Sequence, residues 1–169
     1  MAAQGNLARL DLLDGRFADG FDRWVWRWRE PETWRRALPL PEWDGTPLEG
    51  RGLAVWAEQG AGDEIMLASA LGDVIAEAAR VVVECDGRLV PLFARSFPGA
   101  AFVPRAEPPS AALTAAGVDV QCALGDLCRW RRRAAEAFRP ARAYLRADPA
   151  AVQAMRGRLA RLGPGPKIG

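Results

Sequence analysis

The feature that most constrains the fold is an alternation of short apolar runs with helical patterns between residues 53 and 122. Apolar runs of this length are typical of strands that are buried on both faces of a sheet. Helical crossovers between them return the chain, so that successive strands run in the same direction. We therefore predict an α/β fold, with a Rossmann-like parallel sheet, helices on both of its faces and the first strand at its centre. The predicted strands are 53–57, 81–85, 101–103 and 118–122, and the predicted helices between them are 65–79, 89–96 and 111–116.

Residues 1–30 are predicted to form a hairpin of two short helices, with a break at Gly15. Such a pair cannot bury its apolar faces alone, so we expect it to pack on the α/β unit or on the connector, 31–52. An aromatic stripe at helical spacing is usually part of a core, and a ligand-binding role is the less frequent alternative. The residues with helical spacing are Leu7, Leu10 and Leu13 in the first helix and Phe17, Phe21, Trp24 and Trp28 in the second.

The connector, 31–52, carries four prolines and three glycines around Trp43. This composition predicts an extended segment that crosses the surface and is anchored by its apolar side chains.

Residues 124–147 have no clear pattern except for a predicted helix over 128–138. Residues 128–138 contain four arginines, which indicate either a solvated helix face or, less often, a nucleic-acid patch. A second helix is predicted over 149–162, with Asp148 as its cap and Pro149 in its first turn. Residues 167–169 resemble the start of another strand, so we expect the chain to be a truncated piece of a longer protein.

Composition excludes several classes of function. The chain has 169 residues and a net charge of +2, which is too balanced to indicate nucleic acid or an anionic membrane as a partner. It lacks both a long apolar run and a signal-like N-terminus, which predicts a cytoplasmic protein without a membrane span. There is no histidine, and the three cysteines form no C-x-x-C pair. We therefore predict free thiols, no metal site and no imidazole-based triad.

The turn "EQGAGDE" follows the first predicted strand, at the edge of the sheet where ligands bind in this fold class. Gly60 and Gly62 are expected to allow tight turning and close approach by a ligand. A dinucleotide fingerprint needs a third glycine, and that position is Ile65. We therefore predict no bound NAD or FAD and no other cofactor.

Asp63 has two compatible interpretations. As a helix N-cap it would accept hydrogen bonds from free backbone amides. As a carboxylate at the mouth of a cleft it could act as a general base on an acceptor hydroxyl. In the second interpretation Glu58 and Gln59 would line the cleft as hydrogen-bonding groups.

Four stretches together resemble a known bacterial architecture: "LDLLDGRFADGFDRWVWRW", "LPLPEWDGTPLEGRGLAVWAEQGAGDEIMLA", "AYLRADPAAV" and "KIG". In that architecture, tetratricopeptide repeats precede a glycosyltransferase of the B-type fold, similar to heptosyltransferases and O-linked N-acetylglucosamine transferases. The resemblance implies that 1–30 is the end of a repeat, that 53–148 is the acceptor-side Rossmann-like domain and that 149–169 leads into a missing donor domain. It implies Asp63 as the catalytic base. The residues implied to bind substrate are Glu58, Gln59, Gly60, Gly62 and Glu64.

Two functional hypotheses follow. In the first, the chain is the acceptor-side half of a glycosyltransferase, which acts on a protein or glycan acceptor and is inactive alone. Such a half would bind a nucleotide sugar only together with the second domain. In the second, the chain is a non-catalytic interaction module, in which the tryptophan-rich hairpin docks a repeat array and the α/β unit is a scaffold.

Overall fold

A computed structural model describes residues 2–30, 33–138 and 143–166. The predicted helical hairpin is present at the N-terminus. Helix α1 spans Ala2–Leu13 and helix α2 spans Phe17–Trp24, and a 3-10 helix, Val25–Arg29, continues directly from α2. Gly15 lies in the connecting turn with a φ of 76°, a conformation that glycine adopts without strain.

The sheet has four parallel strands in the order β3-β2-β1-β4, which confirms the predicted parallel sheet with β1 in its interior. At the start of β1, Gly52 cannot be replaced without movement, because a Cβ there would lie 1.8 Å from the carbonyl oxygen of Gly117. The strands are β1 (Gly52–Trp56), β2 (Arg80–Cys85), β3 (Ala101–Pro104) and β4 (Val120–Ala123).

The helices after β1 cover one face of the sheet. The first of them begins at residue 61 instead of 65, and a 3-10 turn, Ala68–Ala70, divides the predicted single helix into two. Leu71, Val74 and Phe93 are fully buried against this face, next to the valines of β2. The helices are α3 (Ala61–Leu67), α4 (Leu71–Glu77), α5 (Val90–Ser96), α6 (Leu127–Arg131) and α7 (Pro149–Ala160).

Among the described residues, α-helices cover only one face of the sheet, and the helical turn predicted over 111–116 is a 3-10 helix on the other face. The opposite face, which carries Ala54, Trp56 and Val82, packs against the connector and the 3-10 turn Ala111–Thr114. Leu38 supplies the buried connector side chain there. Proline-rich chain can cover a sheet in this way because apolar burial does not require a helix.

The connector also pairs with the outer edge of β4. The backbone amide of Trp43 donates to the Gln121 carbonyl oxygen at 2.8 Å, and the Gln121 amide donates to the Pro41 carbonyl oxygen at 3.0 Å. The Gln121 side-chain amide donates to the Leu38 and Leu40 carbonyl oxygens. The expected extended, anchored connector is therefore observed among its described residues, 33–51.

Helix α6 is much shorter than predicted, since it ends at Arg131 instead of extending to residue 138. Arg132 leaves the helix with a buried side chain that hydrogen-bonds Asp73 and the Ser69 carbonyl oxygen. Arg129 and Arg133 both pair with Asp22. The arginines of this segment therefore join elements of the protein, and the prediction of a solvated helix face is wrong.

Helix α7 has the predicted cap. The Asp148 carboxylate accepts hydrogen bonds from the amides of Ala150 and Ala151 at 2.8 and 3.1 Å, and these hydrogen bonds hold its pKa below the ordinary value. None of the α7 side chains is buried. The strand predicted to begin at 167–169 lies outside the described residues.

Candidate functional site

The candidate site lies at the carboxyl edge of the sheet, between β1 and β4. The chain builds β2 and then β3 on one side of β1, and returns to place β4 on its other side. Ligands of open parallel sheets bind beyond the strand ends at such a switch point. Glu58 follows β1 at this point, and Asp126 follows β4.

An arginine from the N-terminal segment occupies this position. Arg27 donates to both carboxylate oxygens of Glu58 at 2.6 Å, and its Nη2 also donates to Asp126 at 2.7 Å. The side chains of Arg27 and Glu58 are 6% and 1% exposed. Burial alone would lower the pKa of Arg27, but the hydrogen bonds and charges of the two carboxylates raise it above its ordinary value. We call Arg27, Glu58 and Asp126 the Arg27 cluster.

The Trp28 ring and the Gly125 backbone also contact the Arg27 cluster. The guanidinium stacks over the Trp28 ring at 3.9 Å, and the Trp28 indole donates to Asp126 at 3.3 Å. The amide of Gly125 donates to Glu58 at 3.3 Å. A Cβ on Gly125 would lie 2.6 Å from the same carboxylate oxygen, so only glycine fits this approach.

A second buried ion pair joins the connector to β2. Arg36 donates to one oxygen of Glu84 at 3.1 and 2.7 Å, and both side chains are nearly inaccessible to solvent. Arg36 also pairs with Glu107 and donates to the Ala106 carbonyl oxygen. The second oxygen of Glu84 is buried without a hydrogen-bond partner among the described residues.

Glu64 connects helix α3 to the ends of β2 and β3. Its carboxylate accepts from the Asp86 amide and from Arg105, each at 2.8 Å, and the residue is 1% exposed. Burial raises the pKa of Glu64, and the hydrogen bond from Asp86 and the charge of Arg105 oppose that shift in part. Both carboxylate oxygens are thus engaged within the protein.

The predicted cap at Asp63 is wrong. Helix α3 begins after Gly60, which occupies the N-cap position, so Asp63 lies three residues into the helix with an exposed side chain. An acid in the first turn interacts favourably with the helix dipole. Neither Gly60 nor Gly62 has a positive φ. This turn therefore does not depend on the conformational freedom of glycine.

A cleft of about 210 Å³ separates the helical hairpin from the end of β1. Of the residues predicted to bind substrate or to act as the base, Gln59 alone lines it. No described residue hydrogen-bonds the side-chain amide of Gln59 or the hydroxyl of Thr33. The other residues that line the cleft are Gly5, Arg9, Trp24, Arg27, Glu30 and Thr33.

The described residues contain no group of three or more metal-binding side chains. Cys85, Cys122 and Cys128 are buried free thiols. Burial raises the pKa of Cys85 to about 12 and of Cys128 to about 11, which keeps both thiols protonated near neutral pH. A protonated thiol is a poor nucleophile.

Sequence reasoning identified Glu58 but missed its partners. Arg27 lies in the second predicted helix, which was interpreted from its aromatic residues alone. Asp126 lies between the fourth predicted strand and the helix predicted from residue 128, where no element was predicted. Glu84 did carry a usable signal, because a charged residue inside a buried strand requires a partner. Its partner, Arg36, is 48 positions away in the chain, and no local pattern indicates such a pairing.

The chain is similar to a known bacterial protein. The chain is 33% identical over 180 aligned residues to "Protein FlbA" of Caulobacter vibrioides, an alignment that includes 96% of this chain. The chain spans about 30% of the length of that relative. No family model matches the chain, and no solved structure does.

These comparisons overturn the assignment to repeat-linked glycosyltransferases. The relative is not named as a glycosyltransferase, and neither a glycosyltransferase nor a tetratricopeptide-repeat family is found. The coarse α/β architecture with a parallel sheet stands independently of that assignment. No helix in the described parts of the chain is long and apolar enough to cross a bilayer.

Proposed function

We propose that this chain is a non-catalytic protein-interaction module, in which the α/β unit is a rigid scaffold and the N-terminal hairpin carries the binding surface. The observation that supports this proposal most directly is the orientation of α1. Its outer face exposes Leu7, Leu10 and Leu13, with 42%, 54% and 82% of their surfaces accessible. Neighbouring exposed leucines on one helix are typical of a surface that another protein covers.

The inner face of α1 combines small residues, a buried carboxylate and Leu12, which packs against the core. It buries Gly5, Ala8 and Asp11, and the Asp11 carboxylate is held by Arg16 at 2.6 Å and Arg23 at 2.7 Å. Contact with α2 thus uses small residues, ion-paired residues and Leu12, whereas Leu7, Leu10 and Leu13 stay exposed. The exposed leucines are therefore available to a partner.

The Arg27 cluster supports a scaffold role. The switch-point position is filled by a guanidinium bonded to two carboxylates, and the connector that follows the N-terminal segment is anchored through Arg36. Opening this position to a ligand would leave Glu58 buried without its partner, which is energetically costly.

The test is whether the leucine face becomes covered. Because the native cysteines are buried, Leu10→Cys can be labelled selectively with an environment-sensitive fluorophore. Met66→Cys, at an exposed position of α3, is the matched control. We expect a blue shift at position 10 and none at position 66, either at high protein concentration or with extract of the source cells. If position 10 stays in water under both conditions, the interaction function is wrong.

A further inference from the structure

We propose that the cleft between the helical hairpin and the end of β1 binds a free amino acid with an uncharged polar side chain. The cleft has a volume of about 210 Å³, which is room for roughly seven water molecules at about 30 Å³ each. Sites for drug-sized ligands are larger, at about 300–1,000 Å³, so this cleft suits a small metabolite. The proposal goes beyond the interaction function above and does not depend on it.

The carboxylate of Glu30 supplies the negative charge of the cleft. Its side chain is half-buried and makes no hydrogen bond or ion pair with any described residue. It lies against the backbone of α1, because a Cβ on Gly5 would be 3.0 Å from its Oε1. Polar groups that are removed from water are normally paired, so an unpaired carboxylate in a cleft indicates a position for a cation.

Arg9 supplies the opposite charge. It follows Gly5 by four residues, so its backbone lies about 6 Å further along the α1 axis. Its Nη1 donates to the Asn6 side-chain oxygen at 3.2 Å, and its other N–H groups have no partner among the described residues. Arg9 and Glu30 line the same cleft without forming an ion pair with each other. A ligand with an ammonium for Glu30 and a carboxylate for Arg9 would satisfy both groups.

The neighbouring Arg27 does not compete for the ligand carboxylate. Its Nε and Nη2 donate to Glu58 and its Nη2 also donates to Asp126, while its Nη1 donates to the Trp24 carbonyl oxygen at 3.0 Å. One guanidinium against two carboxylates leaves the Arg27 cluster with a net negative charge. This charge favours the ligand ammonium and leaves the carboxylate to Arg9.

The remaining polar groups of the cleft are uncharged. They are the side-chain amide of Gln59 and the hydroxyl of Thr33, and both lack a described partner. Their backbones are held in place, since Arg105 donates to the Gln59 carbonyl oxygen at 3.3 Å and the Thr33 amide donates to the Glu30 carbonyl oxygen at 3.0 Å. An amide and a hydroxyl suit a side chain that donates and accepts hydrogen bonds without carrying a charge.

Isothermal titration calorimetry on the whole chain tests the proposal with L-serine, L-asparagine and L-glutamine. Two analogues of each separate the charges: the α-hydroxy acid has a hydroxyl in place of the ammonium, and the α-amide has an amide in place of the carboxylate. We expect at least one of the three amino acids to bind with a Kd below about 1 mM. It should bind at least about tenfold more tightly than either of its analogues, the effect of losing one charge-assisted hydrogen bond.

Two variants assign each charge to its residue. Glu30→Gln should bind the amino acid at least about tenfold more weakly and should no longer distinguish it from the hydroxy acid. Arg9→Gln should show a similar loss and should no longer distinguish the amino acid from the α-amide. Glu49→Gln and Arg29→Gln are the matched controls, because both residues are exposed and neither lines the cleft. Unchanged urea midpoints verify that all four variants fold.

Several results would overturn the proposal. If none of the three amino acids binds with a Kd below about 1 mM, the cleft is not an amino-acid site. Equal binding of the α-amide by the natural chain would show a site for a cation alone, and equal binding of the hydroxy acid would show a site for an anion alone. Tighter binding of L-aspartate or L-lysine would contradict the uncharged side chain. Equal losses in the control variants would place the ligand outside the cleft.

Discussion

The strongest energetic consequence of the structure concerns the replacement of Arg27. Arg27→Met keeps an apolar stem but removes the hydrogen bonds of 2.6, 2.6 and 2.7 Å to two carboxylates. Glu58 then stays 1% exposed without a cation, next to Asp126. Removing one partner of a buried ion pair costs about 3–5 kcal/mol. Domains are typically stable by about 5–15 kcal/mol, so the variant should lose a large fraction of its unfolding free energy.

Urea unfolding followed by tryptophan fluorescence measures this loss. Arg29→Met is the matched control, because Arg29 is exposed and stacks on Trp26 at 4.2 Å without an ion pair among the described residues. Its cost should stay below about 1 kcal/mol. Adding Glu58→Gln to Arg27→Met should restore part of the loss, since the uncompensated charge is gone. Equal costs for Arg27→Met and Arg29→Met would refute the reasoning.

Three further predictions follow from groups near the strand ends. Burial raises the pKa of Glu64 above its ordinary value of about 4.5. The protonated carboxyl therefore adds to the free energy of unfolding below pH 4.5, and this contribution is lost as the pH rises through the raised pKa. The stability of the natural chain relative to Glu64→Gln should therefore fall as the pH increases above 4.5, and urea titrations that show the opposite trend would contradict this. A thiol reagent at mildly alkaline pH should not modify Cys85 or the other two cysteines until denaturant is added, as counted by absorbance; rapid reaction of the folded chain would disagree with their burial. Asp63→Ala should lower the free energy of unfolding by at most about 1 kcal/mol, the value of a charge at a helix end. Asp63→Asn should lower it by a similar amount, because the Asp63 side chain caps nothing. If thermal unfolding shows that Asp63→Asn is neutral and Asp63→Ala is destabilising, the capping interpretation is correct.

The sheet could be predicted from the sequence because its signals are local. Valine-rich runs such as 81–85, separated by helical patterns, determine both the strands and their parallel direction. The packing of the connector on the opposite face of the sheet could not be predicted in the same way. Leu38 packs there from an irregular segment, and an extended chain without periodicity does not reveal which of its side chains are buried.

The site was harder to predict than the sheet. The turn after β1 was located correctly, but its chemistry depends on Arg27 and Arg105, which come from distant parts of the chain. A surface arginine and a buried, bidentate arginine look the same in one sequence. The tertiary structure decides between them, because a buried guanidinium is stable only where carboxylates lie within hydrogen-bonding distance.

The Arg27 cluster also sets an order of events during synthesis. Arg27 binds Glu58, 31 positions later in the chain, and Asp126, 99 positions later. At about 5–20 residues per second, a ribosome needs roughly 5–20 s to add the residues between Arg27 and Asp126. During that interval Arg27 can pair with Glu58 but lacks Asp126. The Arg27 cluster is therefore complete only after β4 has been synthesised.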